Sequence, residues 1–442
     1  MSRRRKKLPV EPVETIIESL SHEGRGVSHI DGKTIFVDGA LVGETVTFRY
    51  RRSHSRYAEG SLEELIANTS IDRVEPKCKH FSICGGCSLQ HMATVKQIQH
   101  KESVLLEQLE HIGGVKPAQI LPALTGPLWG YRHKARLGVK HVLKKEKVLV
   151  GFREKYSSYV ADIDSCEVLH PAVGLILNEL ATLIADLTVH NKIAQIEVAV
   201  AENRTALIFR NLADLTSEDV MKLDAFANEH QLVIYLQPGG PTTVVPLSGE
   251  SEEDLSYHLD EGDITIHFAP SDFTQVNVEI NQQMVKQVVT LLDIKAEDNI
   301  LDLFCGLGNF TLPIARRAAH VMGVEGAQTL VEKARLNARL NNIVNAEFLT
   351  ADLSEPLTQP NFSFDKYNKI LLDPPRSGAQ AVIEQMMMKN VSKLVYVSCN
   401  PATLARDAGI LVNKKGYKLV CAGIMDMFPH TTHVESIAMF ER

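Results

Sequence analysis

The sequence predicts an α/β chain whose C-terminal part is an open parallel sheet wound by helices, preceded by a small β-barrel and a mixed α/β middle. Three observations carry this expectation. From residue 299 onward, apolar strand signals recur, each close to an acidic residue and a following helical pattern. Short β segments punctuated by glycine fill residues 13–65, the texture of a small barrel. Between the two lies a stretch with its own chemistry, opened by three cysteines crowded into ten residues.

At 442 residues the chain is too long for one ordinary domain. The boundaries expected are 1–70 for a basic arm and barrel, 71–268 for the middle and 269–442 for the parallel sheet. The formal charge is −7, so attraction to nucleic acid must come from local patches. No apolar run is long enough to span a bilayer, so no membrane is expected as a partner. The opening MSRRRKKLPVEP is basic but has no apolar segment behind it, unlike a secretory signal. Seven cysteines, three of them crowded, suit a reducing compartment and a metal site better than disulfides, which places the chain in the cytoplasm.

Residues 2–7, Ser-Arg-Arg-Arg-Lys-Lys, read as a disordered arm, either solubilising or in contact with nucleic acid. Within the barrel, Phe48-Arg49-Tyr50-Arg51-Arg52 interleaves cations with rings. Such a surface holds phosphates and stacks bases, although a solvated strand edge looks much the same. Cys78, Cys84 and Cys87 follow in a C-x5-C-x2-C pattern around Gly85-Gly86, with Cys166 a distant fourth. Four thiolates hold either zinc or an iron–sulfur cluster, and a close triplet with one distant partner leans towards cluster usage. Residues 96–112 have helical apolar spacing. Residues 128–155 then carry nine Lys/Arg against two acids, on a pattern that alternates like strands. This is either a basic sheet face for folded RNA or a lysine-protected edge. Strand–helix–strand texture continues over 193–246, and the acidic run 252–263 reads as solvated surface and a boundary.

In the C-terminal part, NILDLFCGLGNF at 299–310 takes a strand through Asp302 into a turn with Gly306 and Gly308. Glycines there let backbone approach a ligand, but the full G-x-G-x-x-G dinucleotide pattern is missing. HVMGVE ends in Glu325, about twenty residues on, where a carboxylate can accept from both ribose hydroxyls. Asp352 and Asp373-Pro374-Pro375 end the next two units, and the last strand runs into Cys399. One such acid is often just a helix cap. A regular succession of them describes a nucleoside-type cofactor site.

GRGV and VDGALVGE resemble a TRAM domain, an oligonucleotide-binding-type barrel, over roughly residues 8–67. APSDFTQVN, DLFCGLGNF, LLDPPRSG, SCNPATLARD and MFPHTTHVES, in that order over 269–437, are similar to the RNA uracil-5-methyltransferase family. The resemblance implies a Rossmann-like class I methyltransferase domain, S-adenosylmethionine as cofactor and RNA as partner. It implies Gln275, Phe304, Asn309, Glu325, Asp352 and Asp373 around cofactor and base, Cys399 as nucleophile and Glu435 as general base. It assigns Cys78, Cys84, Cys87 and Cys166 to a [4Fe–4S] cluster. The branch that carries both barrel and cluster cysteines acts on 23S rRNA, without an obligate protein partner. A transfer-RNA enzyme and an inactive iron–sulfur RNA-binding regulator are the competing readings.

The chemistry asks for these residue types. Carbon 5 of uracil is a poor nucleophile until a thiolate adds at carbon 6, and its proton must then be removed. One thiol and one base must therefore flank one small ring, which Cys399 and Glu435 do if their strands are neighbours. Arg376, following Asp373-Pro374-Pro375, stands where amino-methylating enzymes carry an aromatic ring. Because an ordinary thiol is only a few per cent ionised at neutral pH, a locally favourable site for the Cys399 thiolate is expected.

Overall fold

The computed structural model describes residues 8–248, 255–357, 362–386 and 389–442, so the basic arm at 2–7 lies outside it. The chain divides into two compact units. One comprises residues up to Lys101 with Phe152–Ala161 and Phe428–Thr432; the other comprises Glu102–Gly151, Asp162–Met427 and His433–Arg442. Among the described residues, no helix is long and apolar enough to cross a membrane.

In the first unit, β1 (Val13–Ile16), β2 (Ser19–Leu20), β3 (Gly26–Ile30), β4 (Lys33–Asp38), β5 (Thr45–Ser53) and β6 (Tyr57–Ala67) form one sheet in the order β1-β5-β6-β4-β3-β2. It wraps a core of Ile17, Ile35, Val37, Val46, Phe48 and Ala58. A Cβ at Gly60 would stand 2.4 Å from the Phe48 ring, so only glycine lets β6 pass that ring. The buried Glu44 accepts two bonds from the Arg73 guanidinium, both 2.6 Å, which ties the end of the barrel to the cysteine-bearing loop.

Helix α1 (Thr94–Gln108) follows, as its spacing predicts, and closes in a π-helical turn, Leu109–Gly113. In its first turns Gln97 donates to the carbonyls of Leu89 and Met92 and accepts from the His430 amide. The π turn lies on α9 (Pro401–Asn413; intervening elements are given below) with almost no space between backbones. A Cβ at Gly113 would stand 2.4 Å from the Ala405 carbonyl, and one at Gly409 2.7 Å from that of Gly113.

The second unit holds two sheets and a hairpin. β7 (Gln119–Ile120) joins the C-terminal sheet. β8 (Lys134–Val142), β9 (Lys147–Gly151), α2 (Pro171–Gly174), α3 (Leu177–Ala185), β10 (Ile193–Val200), β11 (Thr205–Asn211), α4 (Ser217–His230), β12 (Leu232–Leu236) and β13 (Val245–Pro246) build the middle sheet, ordered β13-β12-β11-β10-β8-β9. The cations of the basic segment are largely spoken for locally: Arg136 pairs with Glu197, Lys145 and Lys147 with Asp162, and Lys134 donates to the Pro270 carbonyl. β9 is an edge strand, as the second reading of that segment anticipated.

The acidic run corrects the sequence reading. Its described part forms β14 (Leu255–Leu259), paired with β15 (Ile264–Phe268). Alternate residues Leu255, Tyr257, Leu259, Ile264, Ile266 and Phe268 are buried, and the charges around them masked that period.

α5 (Val278–Leu292), β16 (Asn299–Leu303), α6 (Thr311–Ala315), β17 (His320–Glu325), α7 (Gln328–Leu340), β18 (Ala346–Thr350), β19 (Lys369–Leu372), α8 (Gln380–Gln385), β20 (Lys393–Ser398), α9, β21 (Lys418–Met425) and β22 (Glu435–Glu441) complete the chain. Their sheet runs β18-β17-β16-β19-β20-β22-β21-β7, with β16 to β20 parallel and β22 antiparallel to both neighbours. Strand order reverses between β16 and β19, and ligands of such sheets bind at the carboxyl ends beside that reversal. From α7, Asn337 and Asn341 each bond both backbone groups of a β15 residue, His267 and Thr265, and so cover that strand's edge.

Gly113→Ala should lower stability by about 1–3 kcal/mol, the usual cost of forcing extra volume into a packed contact. A urea titration checks it, read as a fall in the midpoint without a change in slope.

Candidate active site

The three strands at the reversal set the site. Register pairs Leu303 with Val324 and with Leu372, so the next residues, Phe304, Glu325 and Asp373, stand side by side at one edge. Phe304 has φ +68°, unusual for a side chain of its size, and this bend lets the amides of both Phe304 and Cys305 donate to the Val324 carbonyl. Glu325 accepts from the Gly306 amide at 3.2 Å and the Ala327 amide at 3.1 Å. Its carboxylate is held by backbone yet keeps lone pairs for a ligand. Phe304, Glu325, Asp352 and Pro375 line one cavity of 590 Å³. Asp352 accepts from the amide and hydroxyl of Ser354, an acid that caps its own turn at the cavity rim.

Not every expected residue gathers there. Gln275 lines a separate 490 Å³ cavity with His133, Tyr257, Phe268 and Asn281. Asn309 exchanges two hydrogen bonds with Asn281, both 3.0 Å, and accepts a third from the Tyr257 hydroxyl at 2.9 Å. Its amide anchors the glycine loop to α5 and β14. The loop bearing Gln275 is stapled by Asp272, which caps the Ala269 amide and takes two bonds from Lys333.

The edge that bears Cys399 follows from one register. β20 and β22 are antiparallel neighbours with Ser398 opposite Ser436, so Cys399 and Glu435 are the next facing pair. Asn400 caps α9 through the Ala402 amide, with Pro401 in the first turn, and donates to the Arg376 carbonyl. Thr403 reaches the same carbonyl. Beneath, the buried Asp407 accepts from the Tyr396 hydroxyl, the Ala379 amide and Arg406, fixing the loop after Asp373 to α9 and β20. Sequence reasoning missed Asp407, Tyr396, Asn281 and Tyr257. The first two stand in or beside quoted motifs, but nothing in their spacing tells a buried hub from a helix surface.

Electrostatics overturn one expectation. The Cys399 thiol is pushed up to about 11, first by burial, then by Glu435 and Asp373, with Arg376 and a backbone hydrogen bond opposing. Burial and two carboxyl groups together outweigh the Arg376 charge and the backbone hydrogen bond. Burial also lifts Asp373 to about 7. Asp302, fully buried beneath Phe304, rises to about 7 through burial, with Asp373 and Glu325 adding to it. One of its oxygens accepts from Thr311 at 2.5 Å; the other has no partner.

The first unit carries a groove of 900 Å³ lined by Arg25, Arg51, Arg52, Arg153, Lys155 and Tyr156, among others. Arg51 lies over the Tyr156 ring, 5.0 Å from its centre. Nearby, the Gly86 amide donates to Cys84 Sγ at 3.4 Å, and Cys87 is buried. Cys166, in the second unit, is also buried. Among the described residues, no group of three or more His, Cys, Asp or Glu side chains is arranged to hold a metal ion.

The family model described as tRNA (Uracil-5-)-methyltransferase matches residues 94–442, and that of the TRAM domain matches 6–62. A protein of Hahella chejuensis is 54% identical over 447 residues, covering 100% of both chains, and one of Methylococcus capsulatus is 52% identical, covering 99% of both. Each is named 23S rRNA (uracil(1939)-C(5))-methyltransferase RlmD. Among solved structures, the Pyrococcus abyssi tRNA (uracil-54, C5)-methyltransferase in complex with S-adenosyl-L-homocysteine shares the fold. Its TM-score is 0.71 at 23% identity, over 97% of this chain and 100% of that one.

Asp302 makes the fold pH-sensitive. Its folded value lies above the ordinary 3.8, so the folded chain binds more protons than the unfolded one between those limits, and stability falls as pH rises through that window. Asp302→Asn should therefore raise stability at pH 8.5, by up to roughly 4 kcal/mol at about 1.4 kcal/mol per unit, and the melting temperature with it. At pH 5 the gain should vanish. Thermal melts of both proteins at the two pH values check this.

Proposed function

Because this chain belongs to the tRNA (uracil-5-)-methyltransferase family, we propose that it moves a methyl group from S-adenosylmethionine to carbon 5 of a specific uridine in 23S rRNA. The observation that carries the reading is the facing of Cys399 and Glu435 across β20 and β22, beside the cavity at the strand reversal. The rRNA assignment rests on relatives of 50% identity and more, matched over the full chain.

The cavity suits a nucleoside cofactor. Gly306, at φ +54°, would point a Cβ into open space, a cradle that backbone leaves vacant, and a buried oxygen of Asp302 lies below without a donor. Glu325 would take the ribose hydroxyls, Asp352 and Phe304 the base, and Gln275, Asn309 and Asp373 would complete the surroundings of cofactor and target. When bound, S-adenosylmethionine supplies an electrophilic methyl group.

The chain's own residues do the rest. Cys399 loses its proton and bonds carbon 6 of the uracil, which turns the ring into an enolate nucleophilic at carbon 5. Once carbon 5 is methylated, Glu435 removes the proton there, the carbon–sulfur bond breaks, and the thiol takes up a proton again. With its thiol near 11, Cys399 is ionised only about once in ten thousand molecules at neutral pH. Protonation of either neighbouring carboxylate removes a repelling charge, so the site and its ligands activate the thiol together.

RNA would be held in the groove of the first unit, where Arg51 and Arg52 stand beside Tyr156, and its target uridine would leave its stack to enter. Cys78, Cys84, Cys87 and Cys166 are proposed as [4Fe–4S] ligands. The support is their spacing and the Gly86 amide at Cys84, the kind of donor that steadies a cluster sulfur. No step of the reaction runs through the cluster.

Incubation with labelled S-adenosylmethionine and purified RNAs should label 23S rRNA. Label only in tRNA would favour the transfer-RNA reading, and label in none the regulator. Cys399→Ala should abolish turnover and any covalent RNA adduct, whereas Glu435→Gln should accumulate a methylated adduct on denaturing gels. Product released by Glu435→Gln at the native rate would remove Glu435 from its role. Anaerobically purified protein should be brown, with broad absorbance near about 400 nm and about four irons per chain; a colourless zinc-loaded protein would reject the cluster.

A further inference from the structure

Carboxyl groups gather at the strand ends beside the cavity that Phe304, Glu325 and Asp352 line. Among the described residues, no lysine or arginine forms a salt bridge with Asp302, Glu325 or Asp373. Asp302 lies near the end of β16, two residues before Phe304, and Glu325 and Asp373 stand level with Phe304 at the ends of β17 and β19. Asp302 is wholly inaccessible, with one oxygen on Thr311 and the other facing no donor. A bare carboxylate oxygen in such a place is costly and is kept only if a proton or a cation supplies what is missing.

We propose that Asp302 and Asp373 form an acid pair that holds a proton in the absence of ligand and gives it up to solvent when a sulfonium cation binds. The pair would thereby distinguish the charged methyl donor from its neutral thioether product. This rests on the methyltransferase reading. The two ligands differ only by one methyl group and one positive charge, and a methyl group alone offers an apolar pocket about 1–3 kcal/mol of discrimination. A carboxyl pair poised near neutrality responds to the charge.

The surroundings agree. Asp302 faces Glu325 from β17, Asp373 from β19, and the Cys305 thiol from its own loop, itself pushed well up by burial and by Asp302 and Glu325. Beyond Asp373 stand Cys399 and Glu435, with Arg376 the one cation that offsets them at the thiol. Arg406, on the cavity wall, is committed to Asp407 and the Ser377 carbonyl. Burial is the main cause that puts both in range at about 7, the sole one for Asp373 and joined by Asp373 and Glu325 for Asp302.

Isothermal titration calorimetry of the full chain, run at pH 6.5 in two buffers of different protonation enthalpy, counts protons released. S-adenosylmethionine should release roughly one proton more than S-adenosylhomocysteine, and its affinity should fall roughly tenfold from pH 8 to pH 6 while the product's changes by less than about threefold. In Asp302→Asn, shown by circular dichroism to be folded, the extra proton should be lost and the pH dependence should flatten. Thr311→Val, which removes the hydroxyl that steadies the ionised form, should shift proton release to higher pH. Equal proton release by both ligands, or undiminished release in folded Asp302→Asn, would overturn the pair. If neither ligand binds at all, the methyltransferase reading itself fails.

Discussion

The constraint on which the site depends is the reversed direction of β22. In a sheet of parallel strands, carboxyl ends gather at one edge and amino ends at the other. A strand inserted antiparallel between β20 and β21 brings its first residue to the edge where its neighbours end. Glu435 is that first residue and Cys399 the one just past the end of β20. Thiol and carboxylate, separated by 35 intervening residues in sequence, thus face each other with no loop needed to position either. The Ser436 hydroxyl on the Ser398 carbonyl reinforces the register at that point.

This placement has an electrostatic cost that the sequence hides. Cysteine at the start of a helix suggests an acidified thiol. Here burial first, and then Glu435 and Asp373, the groups proposed to share the site, hold the thiol protonated. A thiol held neutral is protected from oxidation and stray alkylation, hazards that follow thiolate character. On the proposed mechanism, reactivity is given up in the free protein, where no reaction is wanted.

Much of the fold was legible because its periods are clean. The barrel's glycine-spaced strands, the helix over 96–112 and the apolar strands before Glu325, Asp352 and Asp373 all announced themselves through local pattern. β14 did not, since its buried Leu255, Tyr257 and Leu259 sit behind a run of acids. The residues proposed to touch a ligand were readable as a series of strand-end acids. Those that act through other residues were not. Asp407 looks like any acid on a helix, and Asn281 like any polar residue in α5. Their roles exist only once the Asp373 loop, or Asn309, is brought against them. The two cavities that part Gln275 from Phe304 could not be read from motifs that follow one another so regularly.

The distribution of carboxylates explains how rigid loops and a responsive cavity coexist. Asp407, Asp272 and Asp298 each hold a loop or strand end through backbone amides and a cation, Arg406, Lys333 or Lys369 respectively. Charge there is matched and spent on geometry. At the carboxyl ends of β16 and β19, Asp302 and Asp373 have no such cation, so burial shifts both toward the neutral form in the free protein. A matched carboxylate stiffens the scaffold, whereas an unmatched one stores an electrostatic deficit that a cationic ligand relieves on arrival. The scaffold acids must not respond to that ligand, and the cavity acids must, so the presence or absence of a paired lysine or arginine separates the two tasks among chemically identical side chains.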